Sequence, residues 1–389
     1  MRPVSFFILF QMKIMNKSIA VITALITTII VASCTPQSEE DIITGDTLTI
    51  SADKKQLIAD GIDQVSFTIT LDAEDVTDKA DIYINNVKTN TTTFTTSTAG
   101  NYEVYASYAG KLSNKIILKA AGPNLFPELA ADSQENRFEG FRRRVLVTEA
   151  TGTWCQYCPY MIKGLEFFEE SSKHRDDVVI VAAHVGDAIS SVASEKVGNY
   201  CNMKSYPSCA YNLDKSTMHS NMGAASVNAQ YINNAVAAEM SEPASVGIAA
   251  SVAEDGVTMA VRAKIKIGKT GKYRINAFLI ENGLMYYQTG ATPSLGFESP
   301  TIAHNHVLRA AACENPITGS LLGERSDSWE VGETVEYYAT FDMADCDVTS
   351  AENCSVVVFV TMANAYDRYY VNNVITCSPE EQVSFEYTR

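Results

Sequence analysis

One segment constrains the fold of this chain more than any other, and its sequence is Trp154-Cys155-Gln156-Tyr157-Cys158-Pro159. A run rich in β-branched residues, 145–149, precedes it and predicts a strand. Residues 156–171 carry apolar side chains three and four positions apart, which predicts an amphipathic helix. The two cysteines therefore stand one helical turn apart, where a strand turns into a helix.

Strand and helix patterns continue to alternate after this segment. Residues 178–184 form a near-continuous apolar run, as expected for a buried central strand. Helices are predicted from Asp187 to about Tyr200 and over residues 225–240, with a short strand at 208–213 between them. This alternation predicts a layered α/β domain over residues 141–243.

Period-two patterns flank the α/β segment on both sides. Residues 46–120 alternate apolar and polar side chains between turns, which predicts an immunoglobulin-like β-sandwich. Residues 121–140 carry the composition of a linker. Alternation returns over residues 244–389 and predicts a C-terminal β-sandwich. The expected architecture is multidomain: a β-sandwich, an α/β domain and a second β-sandwich.

The N terminus has the pattern of a secretory signal peptide, residues 1–33. It contains three basic residues, no acidic residue and an apolar run too short for a transmembrane helix. Val31-Ala32-Ser33-Cys34 resembles a bacterial lipoprotein cleavage box, which implies acylation of Cys34 and a tether over residues 34–45. The alternative is an ordinary signal peptide with a coincidental cysteine.

Charge and flanking residues predict the location of the mature chain. The formal net charge is −16, which argues against nucleic acid and anionic membrane surfaces as partners. Ser38-Glu39-Glu40-Asp41 resembles the acidic surface-export signal of Bacteroidetes lipoproteins. We therefore expect anchoring in outer-membrane lipid through Cys34, with the protein on the cell surface or, alternatively, on the periplasmic face.

Eight cysteines follow Cys34, an even number that allows complete pairing in an oxidising compartment. Cys155 and Cys158 account for one pair, and the connectivity of the other six cannot be deduced from sequence. Proximity along the chain favours three structural disulfides: Cys201 with Cys209, Cys346 with Cys354, and Cys313 with Cys377.

The spacing of Cys155 and Cys158 suits thiol–disulfide exchange. The positive end of a helix dipole favours the thiolate, so we expect Cys155 to be the accessible nucleophile. Cys158, one turn further on, would resolve the mixed disulfide. A zinc site is disfavoured because no second C-x-x-C is present, and we expect no metal and no cofactor.

A Trp-Cys-x-x-Cys in this setting resembles the active site of thioredoxin-like proteins. The resemblance implies a thioredoxin-like domain over residues 141–243, with Trp154 preceding the nucleophile. It implies that Glu149 is a buried acid that assists proton transfer, and that Pro207 is a cis-proline beside the cysteines. The usual Gly-Pro between the cysteines is replaced by Gln156-Tyr157, which leaves the reduction potential open.

The chain also resembles the twenty-eight-kilodalton outer membrane protein family of Bacteroidetes lipoproteins. Residues 149–159, 183–186 and 304–309 carry the likeness, which runs from about Arg143 to the C terminus. The resemblance implies an outer-membrane location and an adhesin or receptor role.

The sequence leaves two functions open. One is a thiol–disulfide oxidoreductase that acts on exported protein thiols. The alternative is a non-enzymatic surface adhesin or receptor with an unidentified ligand, in which Cys155 and Cys158 form a permanent structural disulfide.

Overall fold

The computed structural model describes residues 47–122, 125–201 and 205–388. Asp46–Arg389 form one compact unit. The predicted signal peptide, the predicted acylation site Cys34 and the predicted tether lie outside the described residues. Among the helices that the structure describes, none is long and apolar enough to cross a membrane.

The N-terminal region is a β-sandwich, as predicted. Its strands are β1 Leu48–Ala52, β2 Gln56–Ile58, β3 Val65–Leu71, β4 Glu74–Asp75, β5 Asp81–Ile84, β6 Val87–Thr89, β7 Thr93–Phe94, β8 Gly100–Tyr108, β9 Lys111–Leu112 and β10 Ile116–Ala121. They form two sheets, β1-β3-β4 with β7 beside β3, and β2-β10-β8-β5-β6 with β9 beside β8. Alternate side chains such as Ile69, Val104 and Leu118 are fully buried in one core, which accounts for the period-two pattern.

Helices and strands alternate in the middle of the chain. The elements are β11 Val145–Thr151, α1 Cys158–Ser171, β12 Val178–His184, α2 Val192–Cys201, β13 Ser208–Tyr211, β14 Asp214–Ser220 and α3 Ala225–Glu239. β11 pairs parallel with β12 and antiparallel with β13. Side chains of α1 and α3 pack on one face of these strands, and side chains of α2 pack on the other.

Two of the helices begin later than the sequence pattern predicted. α1 starts at Cys158 rather than at Gln156, because Cys155 and Gln156 belong to a preceding turn. α2 starts at Val192 rather than at Asp187. The Asp187 carboxylate, predicted to cap that helix, instead accepts hydrogen bonds in the loop before it.

The C-terminal region contains eleven strands. They are β15 Val246–Glu254, β16 Thr258–Ile267, β17 Tyr273–Glu281, β18 Leu284–Tyr287, β19 Thr301–His304, β20 Val307–Ala311, β21 Ser320–Leu321, β22 Thr334–Asp342, β23 Cys354–Ala363, β24 Tyr369–Cys377 and β25 Gln382–Val383. The sheet β22-β16-β15-β25 packs on β17 and β23 through a large apolar core that includes Val252, Val261 and Val358. This region is also a sandwich.

One sheet of that sandwich continues into the α/β segment. Nine strands form it, in the order β14-β13-β11-β12-β20-β17-β23-β24, with β21 beside β17. The connection is short: Ala182 on β12 lies opposite Val307 on β20, and its N–H donates to the His306 carbonyl at 2.8 Å. Residues 141–243 and 244–389 therefore share a sheet, whereas periodicity alone predicted two neighbouring domains.

Candidate functional site

The two cysteines lie where β11 gives way to α1. Every residue of β11 is buried, and the chain leaves it through Gly152 into a turn closed by the Cys155 N–H and the Gly152 carbonyl at 3.0 Å. A Cβ on Gly152 would lie 2.7 Å from the indole nitrogen of Trp154. Only glycine therefore lets the tryptophan fold back over the turn.

Cys155 has an acidic thiol. Its pKa is lowered to about 7, first by a hydrogen bond from the Cys158 thiol and then by the amides of Tyr157 and Cys158. Burial opposes this shift but does not cancel it. Cys155 therefore forms a thiolate at neutral pH more readily than an ordinary cysteine does.

The same contacts turn the Cys155 sulfur inward. The residue is only 5% exposed, so the expectation of an accessible nucleophile is wrong for this conformation. Cys158 is completely buried, as expected for a resolving thiol. Burial, the Cys155 sulfur and the charge of Glu149 raise the pKa of Cys158 well above its ordinary value.

Glu149 is a buried acid near enough to both sulfurs to interact with them electrostatically. It is 3% exposed, and burial is the main cause that raises its pKa to about 8. The Thr151 hydroxyl lowers the pKa values of both Glu149 and Cys158, so it lies near both groups. A carboxyl group with such a pKa exchanges a proton with a thiol readily near neutral pH.

Trp154 directly precedes Cys155 and contacts Tyr206, the residue before Pro207. The Trp154 side chain is 49% exposed, and its indole N–H donates to the Val185 carbonyl at 2.7 Å. Its ring meets the ring of Tyr206 edge-on, with centroids 5.3 Å apart. The Tyr206–Pro207 peptide bond is cis, which confirms the predicted isomer. Pro207 directly precedes β13, which pairs with β11.

A buried histidine–aspartate pair supports the turn, and the sequence did not identify this role. His184 Nδ1 lies 2.7 Å from Asp187 Oδ2, and the same oxygen accepts from the Thr153 N–H at 2.8 Å. Burial raises the pKa of Asp187, but the interactions with His184 and with backbone amides outweigh burial and lower it. Asp187 is therefore a charged anchor for the residue before Trp154.

The segment after β18 holds the cysteine turn from the other side. The buried Gln288 side chain donates to the carbonyls of Cys155 at 2.9 Å and of Gly152 at 3.3 Å. The Thr289 N–H donates to the Thr153 carbonyl at 2.8 Å. Gly290 follows with φ +83°, so close that an added Cβ would lie 2.3 Å from the Gln156 carbonyl oxygen. We call Gln288–Gly290 the clamp; no motif in the sequence links it to the cysteines.

Two histidines of the C-terminal region contact the α/β segment near the cysteine turn. His304 is buried at the end of β19, and its ring meets the ring of His184 edge-on at 5.1 Å. Burial lowers the pKa of His304 to about 4. His306 Nε2 lies 3.4 Å from a carboxylate oxygen of Glu169 on α1. Within the described ranges, no group of three or more metal-ligating side chains is assembled.

The six remaining cysteines lie outside this site. All of them are free thiols in the structure, so none of the predicted disulfides is formed in the part of the chain that it describes. Cys201 lies near enough to Cys209 to raise its pKa, and Cys346 does the same to Cys354. Cys313 contacts the Asn315 carbonyl, whereas Cys377 contacts backbone carbonyls of other segments, including those of Ala250 and Glu381. The three pairings stay predictions.

Comparison with known families gives one match. The model of the family described as outer membrane protein Omp28 matches residues 194–383. No curated protein matches the sequence significantly.

Solved structures give further similarities. HBP35 of Porphyromonas gingivalis aligns at 16% identity with a TM-score of 0.47, covering 62% of this chain and 78% of that one. A domain of the outer membrane lipoprotein Omp28 from Porphyromonas gingivalis aligns at 23% identity with a TM-score of 0.22, covering 36% and 92%.

Proposed function

We propose that this chain, whose residues 194–383 match the model of the Omp28 family of outer membrane proteins, is an outer-membrane lipoprotein that exchanges thiols and disulfides in exported proteins. In this proposal residues 141–243 form a thioredoxin-like domain, and the C-terminal strands extend its sheet. Cys155 is the nucleophile and Cys158 the resolving thiol.

One observation carries the proposal: the two thiols of the pair differ strongly in acidity. The pKa of Cys155 is lowered to about 7, whereas that of Cys158 is raised well above its ordinary value. A pair of this kind has one thiol ready to attack and one held in reserve. A purely structural pair has no need of this difference.

In this proposal each group has a role in the reaction. The Cys155 thiolate attacks a target disulfide, and the first target sulfur leaves as a thiolate with the electron pair of the broken bond. Cys158 passes its proton to the Glu149 carboxylate and attacks Cys155 in turn, which expels the second target thiolate. The target disulfide is reduced by two electrons, and Cys155 and Cys158 are oxidised to a disulfide.

Lipid anchoring is part of the same proposal. The cleavage box before Cys34 supports acylation of that residue, and a multiply acylated cysteine binds membranes far more strongly than one chain does. The acidic residues that follow support exposure at the cell surface. Detergent partition of a Cys34→Ala variant tests the anchor: we expect the protein to move to the aqueous phase, and retention with the membrane contradicts acylation.

Exchange is tested with a soluble fragment that begins after Cys34. The wild-type fragment should catalyse insulin reduction by a small dithiol, and Cys155→Ser should abolish catalysis. Cys313→Ser, which removes a thiol outside the site, is the matched control and should leave the rate unchanged. Full activity in Cys155→Ser contradicts the assigned nucleophile, and an inactive wild type contradicts exchange.

A second function, adhesin or receptor, is favoured by one observation: the Cys155 residue is only 5% exposed. In that case Cys155 and Cys158 form a permanent structural disulfide in a binding protein. Mild reduction followed by alkylation and mass spectrometry separates the two functions. Rapid labelling of Cys155 supports exchange, whereas resistance of all eight thiols supports the structural role.

A further inference from the structure

A small cavity lies beside Glu149, between α1 and the sheet. Its volume is about 50 Å³, and residues of α1, β11, β12 and the β19–β20 turn line it. At its inner end are Glu149 and Thr151, with His184 and His304 beside them. Residues 303–306 of the C-terminal region therefore form part of its wall.

Three polar atoms in the lining lack a hydrogen-bond partner among the described residues. They are Glu149 Oε1, Thr151 Oγ1 and His304 Nε2. The three residues are 3%, 1% and 4% exposed, respectively. Buried polar atoms are rarely left unsatisfied, and a polar cavity of this volume accommodates roughly three water molecules.

The His304 imidazole is set to accept a hydrogen bond from such a water. One of its ring nitrogens interacts with the backbone of Tyr286, and Nε2 is the nitrogen left without a protein partner. Burial lowers the pKa of His304 to about 4, so the ring is neutral at neutral pH. A neutral imidazole that donates through one nitrogen accepts through the other.

The outer end of the cavity reaches the surface. Its lining there includes Glu166, Glu169 and His306. The side chains of His306 and Glu169 are 31% and 42% exposed, and they face each other at 3.4 Å. Partly exposed polar side chains therefore stand at one end, and a buried carboxyl group stands at the other.

We propose that this cavity binds a chain of water molecules that carries a proton between Glu149 and the surface at His306 and Glu169, with His304 as a positioning residue. The inference rests on the proposed thiol–disulfide exchange. Glu149 takes the proton of Cys158 when Cys158 attacks the mixed disulfide. The water chain then passes a proton outward, and Glu149 becomes a carboxylate again while the cysteine turn stays closed.

Two substitutions interrupt the water chain without touching Glu149. Ala182 lines the cavity on β12, and Ala182→Val adds two methyl groups at a strand position where β-branched residues are favoured. Ala182→Ser is its control, because a hydroxyl keeps the site polar. His304→Leu removes the acceptor nitrogen, and His304→Gln restores an acceptor oxygen.

The readout is the rate at which Cys158 expels glutathione from a Cys155–glutathione mixed disulfide after a jump from acid to neutral pH. We expect Ala182→Val and His304→Leu to slow this step about tenfold, with the first attack by Cys155 unchanged. Ala182→Ser and His304→Gln should stay close to wild type. His174→Ala, which changes a histidine paired with Asp177 beyond the far end of α1, should have no effect.

A crystal structure of the wild-type protein separates this inference from the proposed function. Ordered waters that bridge Glu149 and His304 support the inference, and a dry cavity overturns it. Unchanged glutathione release in both folded variants, Ala182→Val and His304→Leu, also overturns it. A wild-type protein that never expels glutathione overturns the proposed function and the proton path together.

Discussion

At the scale of single residues, the site shows how surroundings divide the roles of identical side chains. The Cys155 sulfur accepts hydrogen bonds from a thiol and two amides, whereas Cys158 is fully buried near an acid. The same contacts that acidify Cys155 also cover it. Reactivity and accessibility are therefore opposed at this sulfur.

The first prediction concerns the donor that contributes most to this acidity. Cys158→Ala removes the thiol that donates to Cys155, so the pKa of Cys155 should rise from about 7 toward its ordinary value. The pH dependence of Cys155 alkylation in the reduced protein measures this shift. Cys346→Ala, a remote thiol deletion, is the control, and an unchanged midpoint in Cys158→Ala contradicts the prediction.

The second prediction concerns Glu149 and stability. The pKa of this carboxyl group is raised to about 8 in the folded protein, so between pH 4.5 and 8 the folded state retains a proton that the unfolded chain has lost. The free energy of unfolding should therefore fall as pH rises through this window, by about 5 kcal/mol in total. Glu149→Gln should remove this dependence.

Urea unfolding at pH 5 and pH 8 measures the effect of this change. The variant should gain stability relative to wild type as pH increases. A constant difference between the two proteins at both pH values would show that the carboxyl group titrates normally.

At the scale of elements, short segments of the C-terminal region organise the cysteine turn. The clamp forms hydrogen bonds with the backbone of the cysteine turn. Residues 304–309 include the start of β20, which pairs with β12 at Ala182. Within that second segment Arg309 donates to the Ile189 carbonyl at 3.1 Å. The reactive turn therefore rests on contacts that are distant along the chain.

The third prediction tests the clamp. Gly290→Ala would place a Cβ 2.3 Å from the Gln156 carbonyl oxygen, in a backbone conformation that disfavours alanine. Gly223→Ala is a matched control, because Gly223 has the same φ of +83° and no atom within 4 Å of an added Cβ. The control should lose about 1–2 kcal/mol of stability.

Gly290→Ala should lose more stability than this control and should also alkylate faster at Cys155, since the turn must move away from the clamp. Equal losses in the two variants, with equal alkylation rates, would show that the clamp does not restrain the turn.

At the scale of the whole molecule, the nine-stranded sheet makes the α/β segment dependent on the strands that follow it. Its apolar face continues from β11 and β12 onto β17, β20 and β23. The N-terminal sandwich, by contrast, has its own core and meets the rest of the described chain through a few polar contacts, such as Gln56 with Thr340 and Lys55 with Glu314.

The fourth prediction follows from this contrast. A fragment of residues 141–243 alone would expose the edge of β12 and the apolar face of the sheet, so it should fail to fold. A fragment that begins at residue 125 should fold and melt at nearly the temperature of the longer protein. Circular dichroism and thermal melting measure both, and a cooperative melt of the short fragment would contradict the prediction.

Local patterns predicted the parts of the molecule that depend on local spacing. The period-two runs predicted both sandwiches, and the apolar spacing predicted α1, although its start lies two residues later than predicted. The clamp and the partner of His304 were not predictable, because nothing in a single sequence states which strands become neighbours. The pairing of β12 with β20 brings both the clamp and His304 to the cysteine turn. The inward turn of Cys155 also escaped prediction, since it depends on individual hydrogen bonds.

The shared sheet also bears on how such a protein is inherited. Where a reactive unit folds by itself, gene fusion can transfer it between otherwise unrelated chains. Here β12 of the α/β segment pairs with β20, which lies more than a hundred residues downstream; the contact joins Ala182 and Val307. We therefore expect gene fusion to transfer residues 141–389 only as one unit. The N-terminal sandwich can be exchanged independently.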